Sequence, residues 1–141
     1  MGYLAWNWFN HPNLRCGLPV ISAHDAERVE VFAYHLGDES DALTTRLRGS
    51  VERWRDCRGL PPAEVARRIH QDGLTVLVGQ EGYFQDAVVQ VMARRAAPVQ
   101  VAWSGYPHGW GLPTVDARIT DAVLDPPEWD GLPGFERLVR L

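Results

Sequence analysis

Three short stretches of this chain carry side chains or backbone suited to chemistry on a polar ligand. The first is Asn10–His11–Pro12, whose imidazole can contact a polar ligand or handle a proton near neutral pH. The second is the turn Gly79–Gln80–Glu81–Gly82–Tyr83, which is polar and ends on a phenol. The third is the loop from Ser104 through Gly105, Tyr106, Pro107, His108, Gly109, Trp110 and Gly111 to Pro113. Its three glycines let backbone approach a ligand closely, and its length is unusual for a plain connection.

Other chemistries are missing. All 14 basic residues are Arg and Lys does not occur, so a Schiff base, a Walker loop or an ammonium on a pyrophosphate cannot come from these residues. No G-x-G-x-x-G follows the first apolar run, and neither G-x-S-x-G nor H-E-x-x-H occurs. The five His do not pair at ligand spacing, so no metal is expected, and without a dinucleotide fingerprint no cofactor is expected either. Cys16 and Cys57 make no disulfide framework.

The elements that must position these stretches alternate along the chain. Gly2 to Ala5 reads as a strand, and Leu14, Leu18 and Ile21 form a helical stripe with a break or kink predicted at Pro19. Val29 to Leu36 reads as a buried strand, Leu43 and Leu47 mark a short helix, and Val51 to Trp54 a weaker strand. Pro61 and Pro62 open a helix that carries Val65 and Ile69 and ends at Gly73. Leu74 to Val78 is a strand covered on both faces. Phe84, Val88, Val91 and Met92 share one helical face, Val99 to Trp103 is a further strand, and Ala117 to Thr120 a last short one. The pattern predicts an α/β fold of Rossmann type, with an open, mainly parallel sheet and helices on both faces. Ligands in such sheets bind beyond the carboxyl ends of the strands, where all three stretches fall.

At 141 residues the chain is one domain, 1–141, in which 122–141 reads as an irregular tail through Pro126–Pro127 and Gly131–Leu132–Pro133–Gly134. A net charge of −4 argues against a nucleic-acid partner. No apolar run approaches the ~18 residues of a membrane span. The N-terminus lacks a basic leader, so a cytoplasmic location is expected.

The stretch Ala97–Pro98–Val99–Gln100–Val101–Ala102–Trp103–Ser104–Gly105–Tyr106–Pro107, followed by Gly111–Leu112–Pro113–Thr114–Val115–Asp116, resembles the APVQV-W-GYPGTTGLPTMDY signature of the O-GlcNAc transferases and their bacterial relatives, family 41 of the glycosyltransferases. Tyr3 to Pro12 is similar to that family's opening strand and N-H-P loop. Val29 to Tyr34 is similar to its FEVFCY strand, and Arg68 to Gly73 to its helix end. Ile119–Thr120–Asp121 and Leu138 to Leu141 also fall where that family has them. The resemblance covers essentially the whole chain.

It implies the N-terminal half of a GT-B enzyme, two Rossmann-like halves with the active cleft between them. Such an enzyme transfers N-acetylglucosamine or a related sugar from a UDP-sugar to Ser or Thr of proteins, inverting the anomeric centre without a metal. The absent second half would supply most uridine and pyrophosphate contacts, including a lysine. The isolated chain is therefore expected to be inactive and to associate with a C-terminal half or a helical-repeat region. The resemblance puts His11 and His70 in catalytic roles, although His70 also suits a helix C-terminus as a cap. Asn10, Pro12, Tyr83, Gly105, Tyr106, Pro107, His108, Gly109, Trp110 and Gly111 would line the cleft.

The chain departs from the pattern in three places. The family's S-x-D-F is Trp6–Asn7–Trp8, its D-L-x-G-H-T is Gly79 to Phe84, and its Gly-Thr-Thr is His108–Gly109–Trp110. The alternative reading is therefore a degenerate, non-catalytic interaction or regulatory domain derived from the same fold.

Overall fold

In the computed structural model, which describes residues 1–131 and 136–141, the alternating apolar runs pair as seven parallel strands. They are β1 (Gly2–Ala5), β2 (Phe32–His35), β3 (Arg53–Asp56), β4 (Val76–Gly79), β5 (Val99–Trp103), β6 (Ala117–Thr120) and β7 (Arg137–Arg140). Four α-helices join them: α1 (Pro12–Ile21), α2 (Ala42–Arg48), α3 (Pro62–Gln71) and α4 (Asp86–Met92). The strand order is β3-β2-β1-β4-β5-β6-β7. The chain grows outward from β1 to β3, then returns to lay β4 on the other side of β1. That reversal makes the β1/β4 pair the switch point, where an open α/β sheet leaves a crevice at its carboxyl edge.

The two-residue period of the strands builds two cores. Tyr3, Ala5 and Val78 face α1 and α2, meeting Leu14, Leu18, Ile21 and Leu47. Leu4, Tyr34 and Leu77 face the other way, onto Val65 and Ile69 of α3 and Val88, Val91 and Met92 of α4. The prediction of a parallel sheet with helices on both faces is therefore met. Among the described residues, no helix is long and apolar enough to cross a membrane.

Four local expectations differ from the outcome. Helix α1 runs unbroken through Pro19, because the carbonyl that Pro19 leaves without a partner, that of Arg15, belongs to the helix's exposed face. The Ser22 amide then closes the last turn on Leu18 O at 2.9 Å. Phe84 does not share the α4 stripe; it ends a 3₁₀ turn, Gly82–Phe84, and is 65% exposed. Strand β3 starts two residues later than expected, at Arg53. The segment read as an irregular tail contains a 3₁₀ turn at Pro127–Trp129 and the edge strand β7. Arg140 on β7 ties them together, donating to Asp125 O at 2.8 Å and to Asp130 at 2.6 Å. Of the predicted Gly131 to Gly134 loop, residues 132–134 lie outside the described residues.

Where α3 ends, Asp72 receives the Tyr34 hydroxyl at 2.7 Å and the Arg55 guanidinium at 2.7 and 3.0 Å, joining β2, β3 and the turn into β4. The Arg55 hydrogen bond above all, with Tyr34 in support, holds the Asp72 carboxyl below the usual aspartate range. Replacing Asp72 by Asn should cost about 1–2 kcal/mol in urea unfolding, with part of the ion pair screened because Arg55 is partly exposed. The contribution is complete above the ordinary aspartate pKa and is lost as pH falls through the lowered folded value. The variant's stability should therefore be flatter than wild type across that acidic window.

Candidate functional site

The loops that leave β1, β4 and β5 meet around one carboxylate. Glu81 is 2% exposed and sits in the turn after β4 with φ 76°. Its two oxygens accept from the Trp6 and Asn7 amides, both at 2.7 Å, and from Asn13 Nδ2 at 2.9 Å. Its own amide donates to Ser104 O at 3.0 Å. Burial raises the Glu81 carboxyl above its usual range, and the three N–H donors pull the other way. Sinking a carboxylate costs several kcal/mol. Three hydrogen bonds to a charged acceptor, each worth about 1.5–3 kcal/mol, offset that cost. The left-handed backbone at Glu81 adds about 1–3 kcal/mol of strain that the same contacts must hold.

The surrounding contacts pin each loop to the next. Trp8 Nε1 donates to Gln80 Oε1 at 3.0 Å, and Ser104 Oγ contacts Asn13 Oδ1 at 3.2 Å. Gly105 lies against Asn13 and the Glu81 backbone with φ 80°, so a Cβ there would meet atoms at 3.0–3.1 Å. Gly82, with φ 49°, is closer still to the Tyr106 ring. Both positions require glycine for φ and for space.

His11 is the N-cap of α1, and its Nδ1 accepts the Asn13 amide at 3.2 Å. In the neutral ring this assigns the proton to Nε2, a donor that has no hydrogen-bond partner among the described residues. Asn10 is exposed; its amide donates to Asp41 Oδ2 at 2.6 Å and its side-chain oxygen accepts from Arg15 at 2.8 Å. Pro12 opens α1, where no amide is needed. Tyr83 donates its hydroxyl to Trp110 O at 2.6 Å. Tyr106 receives Tyr83, Phe84 and His108 edge-on at 5.2–5.9 Å between centroids. His108 and Pro107 are exposed, and Gly109 is half-buried.

Trp110 has a mixed position. It is 2% exposed, and its indole packs against Gly79, where a Cβ would come within 2.9 Å of it. Its amide and that of Gly111 both donate to Glu136 Oε1, at 2.6 and 2.9 Å. Its main role is to brace the loop from within. A cavity of about 480 Å³ opens beside it at the carboxyl ends of β5 and β6, lined by Ser104 to Pro107, Arg118 and Asp121 among others. Behind that wall, buried Arg118 pairs with Asp125 at 2.5 Å and reaches Pro107 O at 3.3 Å.

His70 is not brought to this site. It is exposed in the last turn of α3, which leads into the amino end of β4, so it lies at the opposite edge of the sheet. Glu81, Arg118 and Glu136 are the residues that reading by motif missed. The only signal for Glu81 was an acid flanked by Gln and Gly in a turn, and for Arg118 a charge inside a short strand.

A family model described as Glycosyl transferase family 41 matches residues 1–131. The chain belongs to this family. The family 41 chain is 36% identical over 145 residues to the probable UDP-N-acetylglucosamine–peptide N-acetylglucosaminyltransferase SPINDLY of Arabidopsis thaliana, covering 100% of this chain and 16% of that protein. It is 35% identical over 128 residues to the UDP-N-acetylglucosamine–peptide N-acetylglucosaminyltransferase of Caenorhabditis elegans, covering 89% of this chain and 11% of that protein. Among solved structures, a point mutant of Thermobaculum terrenum O-GlcNAc transferase superposes with a TM-score of 0.92 at 38% identity, covering 99% of this chain and 27% of that one. The family 41 chain therefore spans a small part of the length of the relatives it matches.

Changing Glu81 to Gln in this family 41 chain should leave at least one of the Trp6 and Asn7 amides facing an amide NH₂. The expected loss is about 2 kcal/mol in urea unfolding, with faster hydrogen exchange at both amides. Unchanged exchange there would remove Glu81 from its role as the joint of the three loops.

Proposed function

We propose that this chain forms one wall of the catalytic cleft of a protein O-linked N-acetylglucosaminyltransferase of two halves. The substrates would be a UDP-sugar and a Ser or Thr hydroxyl of a protein. The observation that carries the reading is the convergence of the β1, β4 and β5 loops on Glu81, with the Nε2 edge of His11 left without a partner among the described residues. The relatives named above support the choice of sugar and acceptor, and the cleft stands where an α/β sheet binds its ligands.

In that reaction the acceptor oxygen bonds to the anomeric carbon as the bond to the diphosphate oxygen breaks, with inversion and without a metal. Negative charge builds on the leaving diphosphate and must be met by N–H donors or cations. The Trp6 and Asn7 amides at the switch point are already committed to Glu81, and the chain has no lysine. Holding the diphosphate is therefore assigned to a second half. His11 is assigned a hydrogen bond from Nε2 to a substrate oxygen, while the acceptor proton leaves to another group or to water. His70 has no part in this step. Tyr83, Tyr106 and His108 form the aromatic lip over which the acceptor would enter.

A second reading has its own observation. Trp110 fills the space beside Gly79, and Tyr83 is tied to its carbonyl, an arrangement that suits a closed, non-catalytic surface for partners.

The isolated chain should neither hydrolyse UDP-N-acetylglucosamine nor transfer its sugar, measured by release of UDP. Robust turnover by these 141 residues alone would overturn the half-site reading. Exchanged for the corresponding segment of the Thermobaculum terrenum enzyme, the chain should support transfer, and His11→Ala should lower kcat on the order of a hundredfold. A folded but inactive chimera would favour the non-catalytic reading.

A further inference from the structure

We propose that Asp41 and Thr44, at the start of α2, are positioning residues for His11. The proposal rests on the reading of His11 as the donor to a substrate oxygen. Glu81 holds the loop after β1 only as far as the Asn7 amide. Beyond that point the chain must still deliver His11 to α1 in the extended conformation, φ −118° and ψ 149°, that lets its ring cap the helix. Inside the loop, the Trp8 amide reaches Trp6 O at 3.1 Å and the His11 amide reaches Phe9 O at 2.6 Å. Each of these bonds closes one small turn, and neither ties the loop to the body of the domain.

Helix α2 supplies the tie, across 31 and 36 residues of sequence. Asp41 Oδ2 accepts the Asn10 amide at 2.6 Å, and Thr44 Oγ1 donates to Trp8 O. One acceptor and one donor thus grip the residues on either side of Phe9, whose ring lies 5.6 Å from that of His11 between centroids. The grip is firm because its supports are buried: Trp8 and Leu47 of α2 share one core, and Thr44 is itself buried. Arg15 completes it from α1, donating to Asn10 Oδ1 at 2.8 Å.

The Asp41 carboxylate divides its oxygens between two tasks. Oδ1 caps α2, accepting the Leu43 and Thr44 amides at 2.8 and 3.1 Å, while the Asp41 amide donates to Thr44 Oγ1 at 2.9 Å. That capping box needs one side-chain oxygen, which serine supplies as well as aspartate does. Oδ2 is surplus to the helix and serves the loop of His11. The Asn13 amide reports the result. It lies in the first turn of α1, where no helix carbonyl can serve it, and its acceptor is His11 Nδ1 at 3.2 Å. Once that contact loosens, the ring is no longer confined to the tautomer with its proton on Nε2.

The test begins with backbone hydrogen exchange and the imidazole nitrogen NMR signals of the full chain. Asp41→Ser should speed exchange at Asn10 and Asn13 several-fold, leave Leu43 and Thr44 protected, and populate the second His11 tautomer. Thr44→Val should likewise speed exchange at Asn13, and Thr44→Ser should restore it. In the chimera with the Thermobaculum terrenum enzyme, Asp41→Ser should lower kcat roughly tenfold at nearly unchanged KM. It should add nothing to the loss in His11→Ala, because it acts through that ring. Unchanged Asn13 exchange in Asp41→Ser, or a full further loss in the His11→Ala background, overturns the proposal. Full activity in His11→Ala overturns instead the reading on which it rests. The exchange measurement needs no turnover, so it decides whether Asp41 places His11 even where the chimera is inactive.

Discussion

The fold of this site depends on a single buried negative charge. Glu81 satisfies two backbone amides after β1, the side chain that follows the His11 cap, and through its own amide the first residue after β5. A neutral residue there could not accept from all three donors at once, and the unmatched amides would each cost about 1–3 kcal/mol. The carboxylate thus sets how far apart the three loops stand. The glycines at 82 and 105 exist to let those loops close to that distance, since any Cβ would collide with Tyr106 or with the Glu81 backbone.

One departure from the family pattern borders the same charge. The first loop carries Asn7 where the resemblance has an aspartate, and it meets Glu81 through its backbone amide. That contact does not depend on the side chain, so the joint between the two loops is kept across the change.

The sheet was legible because periodicity and turn residues agree. Tyr3, Leu4 and Ala5 alternate between two cores, Gly73 ends α3 with φ 67°, and Pro61–Pro62 start it. The edge that carries the candidate site was legible too, since in a parallel sheet every strand-to-helix loop leaves at the same edge. What escaped was set by contacts across long separations. Phe84 fits a helical stripe by spacing, but the left-handed step at Glu81 turns the chain into a 3₁₀ turn before α4 begins. Arg137 to Arg140 has too few apolar residues to read as a strand, and becomes one only because β6 offers a free edge. His70 shares a motif with its family, but a motif does not say at which end of the helix the cleft lies. Glu81 could be found only by knowing that Trp6 and Asn7 point at it.

The position of β1 has a consequence for assembly. It pairs with β2 across 30 residues, Gly2 with Phe32, but reaches Glu81 across 75. Closing the longer loop costs only about 0.8 kcal/mol more in chain entropy, so distance along the chain barely taxes the finished structure. The β1–β2–β3 half closes through short loops, whereas the crevice closes through long ones. The candidate site gathers the widest separations bridged by the described hydrogen bonds, up to the 91 residues between Asn13 and Ser104.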